Sequence, residues 1–95
     1  MTVVHKGNVL ITGAAQRIGA SIASALALDG WTVGIHYFQS SDTAETLCAY
    51  LNKDRRNAYV LGADLRDESS VQEMIRQASK HGPVTCLVNN ASIFE

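Results

Sequence analysis

Short apolar runs rich in β-branched and aromatic residues alternate with longer amphipathic segments along this chain. The apolar runs predict strands over residues 8–12, 31–38, 57–63 and 84–89. The amphipathic segments predict helices over about 16–29, 41–52 and 68–80. This alternation favours an α/β fold, a doubly wound parallel sheet in the order β-α-β-α-β-α-β with helices on both faces. Ligands of such sheets bind beyond the carboxyl ends of the strands.

The spacing of apolar positions also predicts which face each helix buries and where each helix ends. In the first helix a ridge of small residues would allow close approach to the sheet. Gly30 is predicted to end this helix in a left-handed conformation, and Asp67 to cap the third helix. Either Ser41 or Asp42 could cap the second. The predicted contact positions are Ala15, Gly19, Ala23 and Ala27, then Ala44, Leu47, Cys48 and Leu51, then Val71, Met74, Ile75 and Ala78.

Length, charge and cysteine usage exclude several classes of protein. The 95 residues make one domain, and eight basic against nine acidic residues give a net charge of −1. A nucleic-acid-binding module would carry a basic surplus. No apolar run is long enough to cross a membrane, and the first residues have no signal-peptide core. Cys48 and Cys86 form no metal-binding cluster, and two free thiols without a signal peptide indicate a cytoplasmic protein.

A glycine-containing turn joins the first predicted strand to the first helix. Gly13 permits a tight turn, Gly19 permits close packing, and the N–H groups at the helix start could bind a phosphate. Arg17 adds a fixed positive charge and a forked donor. The alternative is an ordinary strand–helix turn that happens to contain two glycines.

The second predicted strand ends in His36 without the acidic residue that usually binds the ribose of NAD. The first carboxylate after the strand is Asp42, so the end of the strand would not repel a 2′-phosphate. Gln39 and Ser40 offer amide and hydroxyl donors for such a group, which would permit NADP. Alternatively this is a polar loop before a capped helix, and His36 is a satisfied strand-end histidine.

Polar residues also follow the third and fourth predicted strands. Asp64 could accept from an adenine amine, or it could accept from backbone N–H groups and merely shape a turn. Asn90 could tie adjacent strands together, and Ala91 is small enough for a flat ring or a ribose to pass. Ser92 offers a hydroxyl, and Phe94 is either an aromatic face for a ligand or an apolar anchor.

Four motifs, in order, resemble those of the short-chain dehydrogenase/reductase family, which has a Rossmann-type fold. They are Thr12-Gly13 with Gly19, the strand end at His36, Ala63-Asp64-Leu65, and Asn89-Asn90-Ala91, and the resemblance runs from Val9 to Phe94. At two positions where the family has glycine this chain has Arg17 and Ser92. Both departures, together with His36-Tyr37 and Phe94, are similar to the pteridine reductase branch.

The resemblance implies an NADP(H)-dependent reductase of a small carbonyl or imine compound, a pterin-like one in that branch, and a homo-oligomer, a tetramer in the family. Gln39 stands where the branch often has arginine. The implied cofactor-binding residues are Gly13, Arg17, Ile18, Gly19, His36, Tyr37, Gln39, Ser40, Asp64, Leu65, Asn90, Ala91 and Ser92. The implied substrate-binding residues are Ser92 and Phe94.

The family's catalytic Tyr-x-x-x-Lys motif does not occur in these 95 residues. We therefore expect no catalytic residue in this chain. It resembles the cofactor-binding part of a longer reductase, truncated after the fourth strand. A non-catalytic nucleotide-binding module and a truncated fragment are the alternatives.

Overall fold

The computed structural model describes residues 6–14, 16–53 and 57–90. Four parallel strands form one sheet in the order β3-β2-β1-β4. The elements are β1 (Gly7–Thr12), α1 (Arg17–Leu28), β2 (Trp31–Tyr37), α2 (Ser41–Leu51), β3 (Ala58–Gly62), α3 (Glu68–Ser79) and β4 (Val84–Asn89). The predicted α/β architecture is confirmed, and the ends of each element fall within about two residues of the predicted ones.

The sheet has helices on both faces because alternate residues of its central strand point in opposite directions. Val9 and Ile11 of β1 lie in a buried cluster that α1 and α2 cover. Leu10, between them, lies in a second cluster with Met74 and Ala78 of α3. Strand β1, which has a neighbour on each edge and helices on both faces, is therefore almost completely buried.

Helix α1 packs through its small residues, as predicted. Gly19, Ala23 and Ala27 are buried, whereas Ile18 is 71% exposed. The helix ends before Gly30, whose φ of 102° lies in the region that favours glycine. On the neighbouring ridge Ile22 and Leu26 pack partly against the core, whereas the exposed Ile18 lies in the first turn of α1, which stays open at the edge of the sheet.

The other two helices agree with the predicted faces except at a few positions. The Asp67 side chain accepts from the Ser69 N–H, which confirms the predicted cap of α3. The predicted cap of α2 was wrong, because the capping position is Ser40 and it makes no side-chain capping bond. Ile75 was predicted to be buried but is 41% exposed, since Met74 takes the core-facing position of that turn.

A polar network closes the edge of the sheet where the strands begin. The Tyr59 hydroxyl donates to the Asn8 side-chain oxygen at 2.6 Å, and both residues are buried. The Asn8 amide donates to the carbonyls of Ala78 and Gly82, which fixes the end of α3 against β1. This edge is therefore held by side chains, and the opposite edge, where the strands end, carries the loops of interest.

Candidate cofactor-binding site

The turn after β1 brings the start of α1 to the carboxyl edge of the sheet. Gly13 has a φ of 64°, and its carbonyl accepts from the Gln16 N–H at 3.2 Å. Gln16 occupies the capping position of α1 without a side-chain capping bond. Arg17 and Ile18 are exposed, and Arg17 forms no ion pair with the described residues. The first N–H groups of the helix and one cation thus face an open edge.

Gly19 allows α1 to approach this turn more closely than any other residue would. A Cβ atom at position 19 would lie 2.6 Å from the Gly13 carbonyl oxygen and 2.7 Å from the Ala14 Cα. It would also lie 2.7 Å from the Asn90 side-chain nitrogen. The predicted close packing of Gly19 is therefore present, and its partners are the turn itself and the end of β4.

The His36 side chain lies inside the protein and joins the ends of three strands. Its Nδ1 accepts from the Gly13 N–H at 2.9 Å, and its Nε2 lies 2.9 Å from the Ala63 carbonyl oxygen. A carbonyl can only accept, so Nε2 carries the hydrogen and the ring is neutral. Burial lowers the pKa of His36, and the bond to Ala63 opposes that change in part.

This arrangement leaves neither ring nitrogen of His36 for a cofactor phosphate. The sequence predicts His36 at the adenosine end of a cofactor site, whereas in the structure its ring bonds to the Gly13 turn and to Ala63. The backbone reinforces the connection, because the Ala14 N–H donates to the His36 carbonyl at 3.1 Å. His36 is only 2% exposed, as expected of a strand-end histidine whose hydrogen bonds are satisfied.

Asn90 ties the end of β4 to the same turn. Its side-chain amide donates to the Gly13 carbonyl at 3.2 Å, and its N–H donates to the Thr12 hydroxyl at 2.9 Å. The Thr12 hydroxyl also lies 3.2 Å from the Asn89 side-chain oxygen. Asparagine was expected to link adjacent strands here, and these bonds show that link between β1 and β4.

The loop after β2 carries uncharged polar groups at the surface. Gln39 and Ser40 are exposed, whereas Tyr37 is half-buried and its ring lies against Gly62 of β3. Asp42 lies in the first turn of α2. The end of β2 therefore presents amide and hydroxyl groups without a carboxylate, as the sequence indicates.

The loop after β3 holds an ion pair that the sequence did not reveal. Both carboxylate oxygens of Asp64 accept from the Arg66 guanidinium, from Nε at 3.0 Å and from Nη2 at 3.2 Å. These side-chain hydrogen bonds lower the pKa of Asp64, and a smaller effect in the same direction comes from the hydrogen bond that the Arg66 backbone N–H donates. The guanidinium carbon lies 5.4 Å from the centre of the Phe38 ring. Leu65, assigned to adenine, is half-buried against the α3 side of the core.

The structure therefore brings most of the predicted residues to one edge and adds two that sequence reasoning missed. Contacts run without a break from Asn90 through Gly13 and His36 to the loop after β3. The missed residues are Phe38 and Arg66. The sequence signals that could have identified them are an aromatic residue directly after a strand and a cation directly after Asp64-Leu65. Ala15, Ala91, Ser92 and Phe94 lie outside the described residues.

The described residues fit a dinucleotide better than a metal ion. An uncapped helix start, an arginine without an ion pair among the described residues and a strand end without a carboxylate are suited to phosphate groups. In the described ranges, no group of three His, Cys, Asp or Glu side chains could hold a metal ion. Nor does any described helix have the length and apolar character needed to span a membrane.

A parallel α/β sheet with a glycine turn and an open helix start at its carboxyl edge defines a dinucleotide-binding class of protein. A family model described as short chain dehydrogenase matches residues 7–95. Because this match covers nearly the whole chain, the protein belongs to the short-chain dehydrogenase/reductase family of oxidoreductases. The resemblance found in the sequence motifs is thereby confirmed.

Known relatives and one solved structure agree with this assignment. The chain is 37% identical over 87 residues to the 3-oxoacyl-[acyl-carrier-protein] reductase FabG of Staphylococcus epidermidis, covering 90% of this chain and 36% of that protein. It is 53% identical over 57 residues to pteridine reductase 1 of Leishmania tarentolae, covering 59% of this chain and 20% of that protein. A dehydrogenase/reductase from Sinorhizobium meliloti superposes with a TM-score of 0.88 at 30% identity, over 95% of this chain and 36% of that one. The matched residues thus span about a third of FabG and of the Sinorhizobium protein, and about a fifth of pteridine reductase 1.

Proposed function

We propose that the full-length protein is an NADPH-dependent reductase and that these residues form its cofactor-binding part. The observation that carries this proposal is the carboxylate-free end of β2 beside the uncapped start of α1. A carboxylate at the end of β2 would favour the ribose diol of NAD and repel the 2′-phosphate of NADP. The polar groups of Gln39 and Ser40 suit the phosphate instead.

Each group at the edge has a role in holding the cofactor. The nicotinamide supplies the hydride when the cofactor is bound. The N–H groups of the first turn of α1 would donate to the pyrophosphate, with Arg17 as the adjacent cation. Asp64 and Leu65 would contact the adenine, while Asn90 and Ala91 would contact a ribose. His36 and Asn90 orient the Gly13 turn, and no tyrosine in these residues has the spacing of the family's proton donor.

The choice of cofactor is tested by titrating the full-length protein with NADPH and with NADH. We expect tighter binding of NADPH, and Arg17→Ala should weaken it by about 1.5–3 kcal/mol through loss of a charge-assisted contact. Arg76→Ala is the matched control, because Arg76 is an exposed arginine on α3 that pairs with Glu73. Equal or tighter binding of NADH would refute the proposal.

For the substrate we propose a pterin, with Ser92 and Phe94 in contact with it. The support is the Asn-Asn-Ala-Ser pattern followed by Phe94, together with the 53% identity to a pteridine reductase over 57 residues. A 3-oxoacyl thioester is the second candidate, because the similarity to FabG covers 90% of the chain. A pterin is a small molecule, and a family-like tetramer in the cytoplasm is part of the same proposal.

Steady-state kinetics with a pterin and with a 3-oxoacyl thioester distinguish these two substrates. If Phe94 stacks a pterin, Phe94→Ala raises the KM for the pterin much more than it weakens NADPH binding. An unchanged KM, with a lower melting temperature, would mean that Phe94 only packs the core. Turnover of the thioester alone would favour the second candidate.

A further inference from the structure

Arg66 is held in place from two sides at the carboxyl edge of the sheet. Its Nε and Nη2 donate to the two oxygens of Asp64, which gives the fork-to-fork geometry of a strong arginine–carboxylate pair. Its guanidinium carbon lies 5.4 Å from the centre of the Phe38 ring, within the range of a cation–π contact. The contact joins the loop after β3 to the loop after β2.

Most of the hydrogen-bonding capacity of Arg66 is unused in this arrangement. A guanidinium has five N–H donors, and the two bonds to Asp64 leave three of them. The side chain is 60% exposed, so these donors face solvent at the edge of the sheet. The pair also offsets the charge of the Asp64 carboxylate, which would otherwise repel an anion beside β3.

The neighbouring loop lacks a cation of its own. Between the end of β2 and the first turn of α2 the chain contains no lysine or arginine, and Gln39 follows Phe38 directly. Because β2 and β3 are neighbours in the sheet, a residue after β3 can reach the loop after β2. Arg66 reaches the loop after β2 by its cation–π contact with Phe38.

We propose that Arg66 is a specificity-determining residue that binds the adenosine 2′-phosphate and so supplies the positive charge that the loop after β2 lacks. The inference rests on the proposed NADPH preference and names the residue that produces it. Asp64 and Phe38 are positioning residues in this scheme. Asp64 fixes the plane of the guanidinium, and Phe38 keeps it over the loop after β2.

Binding of two nucleotides that differ only in the 2′-phosphate tests this assignment. Adenosine 2′,5′-bisphosphate and 5′-AMP are titrated calorimetrically into the full-length protein and into Arg66→Gln. The wild type should prefer the bisphosphate, and this preference should fall about tenfold in Arg66→Gln with little change in the affinity for 5′-AMP. Phe38→Leu should reduce the preference to an intermediate value, because the guanidinium keeps its charge but loses one support.

Arg76→Gln is the matched control, since it also removes an exposed arginine that pairs with a carboxylate. Its preference should stay within about twofold of the wild type because Arg76 lies on α3, away from the loops. An equal loss in both variants, or an unchanged preference in Arg66→Gln, would overturn the assignment. If the wild type itself shows no preference for the bisphosphate, the NADPH proposal fails and the role of Arg66 fails with it. Circular dichroism melts of each variant confirm that the compared proteins are folded.

Discussion

His36 shows how one neutral side chain can hold two loops of a binding site. Its Nδ1 accepts a hydrogen bond from the Gly13 N–H, and its Nε2 donates one to the Ala63 carbonyl. Protonation would place a hydrogen on Nδ1 and remove the bond to Gly13. The turn that is proposed to face the pyrophosphate therefore depends on His36 staying neutral.

The first prediction is that the stability of the protein depends on pH through His36. Burial lowers the pKa of His36 in the folded protein, whereas the unfolded chain titrates near the ordinary value of 6.5. The unfolded state therefore binds more protons as the pH falls below about 6.5, and stability falls with it, by at most about 1.4 kcal/mol per pH unit. Urea unfolding at a series of pH values measures this slope.

The variant His36→Gln is the control for that slope. Glutamine can still donate and accept, but it does not titrate, so part of the dependence below about pH 6.5 should disappear. The same slope in both proteins would show that His36 does not produce the effect.

The sequence placed these residues at the right edge but could not give the direction of their side chains. A histidine at a strand end can point to a ligand or into the protein, and the deciding partners of His36 lie on two other segments. Arg66 and Phe38 meet only because β2 and β3 are adjacent, and strand order is not visible in the local pattern. The cation–π contact between these two loops therefore became visible only in the structure.

Among the elements, α1 carries the strictest packing requirement. Its small residues sit against the sheet, and at its start Gly19 touches the turn after β1. The position of α1 and the geometry of the turn after β1 therefore both depend on Gly19.

We predict that Gly19→Ala lowers the free energy of unfolding by about 1–3 kcal/mol. The added Cβ would meet the Gly13 carbonyl oxygen and the Ala14 Cα, which are backbone atoms that cannot rotate away. Chemical denaturation of the full-length protein measures the loss. Ala25→Leu adds bulk on the exposed side of the same helix and should change stability by less than about 0.5 kcal/mol. A Gly19→Ala protein as stable as the wild type would show that the turn is looser than described.

At this scale the sequence predicted most of the fold. Periodic apolar positions located all seven elements, and the end of α1 at Gly30 and the cap at Asp67 followed from local chemistry. The predictions failed where two neighbouring residues compete for one position. Met74 rather than Ile75 faces the core, because helix rotation is set by packing against the sheet, and Ser40 rather than Ser41 or Asp42 occupies the capping position of α2.

At the scale of the whole molecule, the described sheet exposes apolar surface on one outer strand. In the described part of the chain β4 pairs with β1 alone, and Leu87 on β4 is 59% exposed. A strand whose outer edge has no neighbour and that exposes a leucine is prone to pair with other chains.

We therefore predict that these 95 residues, produced alone, are poorly soluble or only partly folded. Light scattering should show association, and Leu87→Lys should reduce it by placing a charge on the outer strand. Thr85→Lys, also exposed on β4, adds the same charge without removing the leucine and should reduce it less. A monomer with a sharp two-state melt would contradict this prediction.

The start of α1 and the loops beside it are proposed to bind the cofactor. Ile18 and Leu28 allow a direct test, because they are 71% and 84% exposed at opposite ends of the same helix. A new carboxylate at Ile18 would face the phosphates while remaining compatible with the helix dipole. The same carboxylate at Leu28 would lie at the other edge of the sheet.

The decisive measurement is the affinity of the full-length protein for NADPH in Ile18→Asp and in Leu28→Asp, determined by calorimetric titration. We predict that Ile18→Asp weakens NADPH binding by about tenfold or more through charge repulsion, whereas Leu28→Asp binds NADPH within about twofold of the wild type. Wild-type affinity in Ile18→Asp, or an equal loss in both variants, would contradict it.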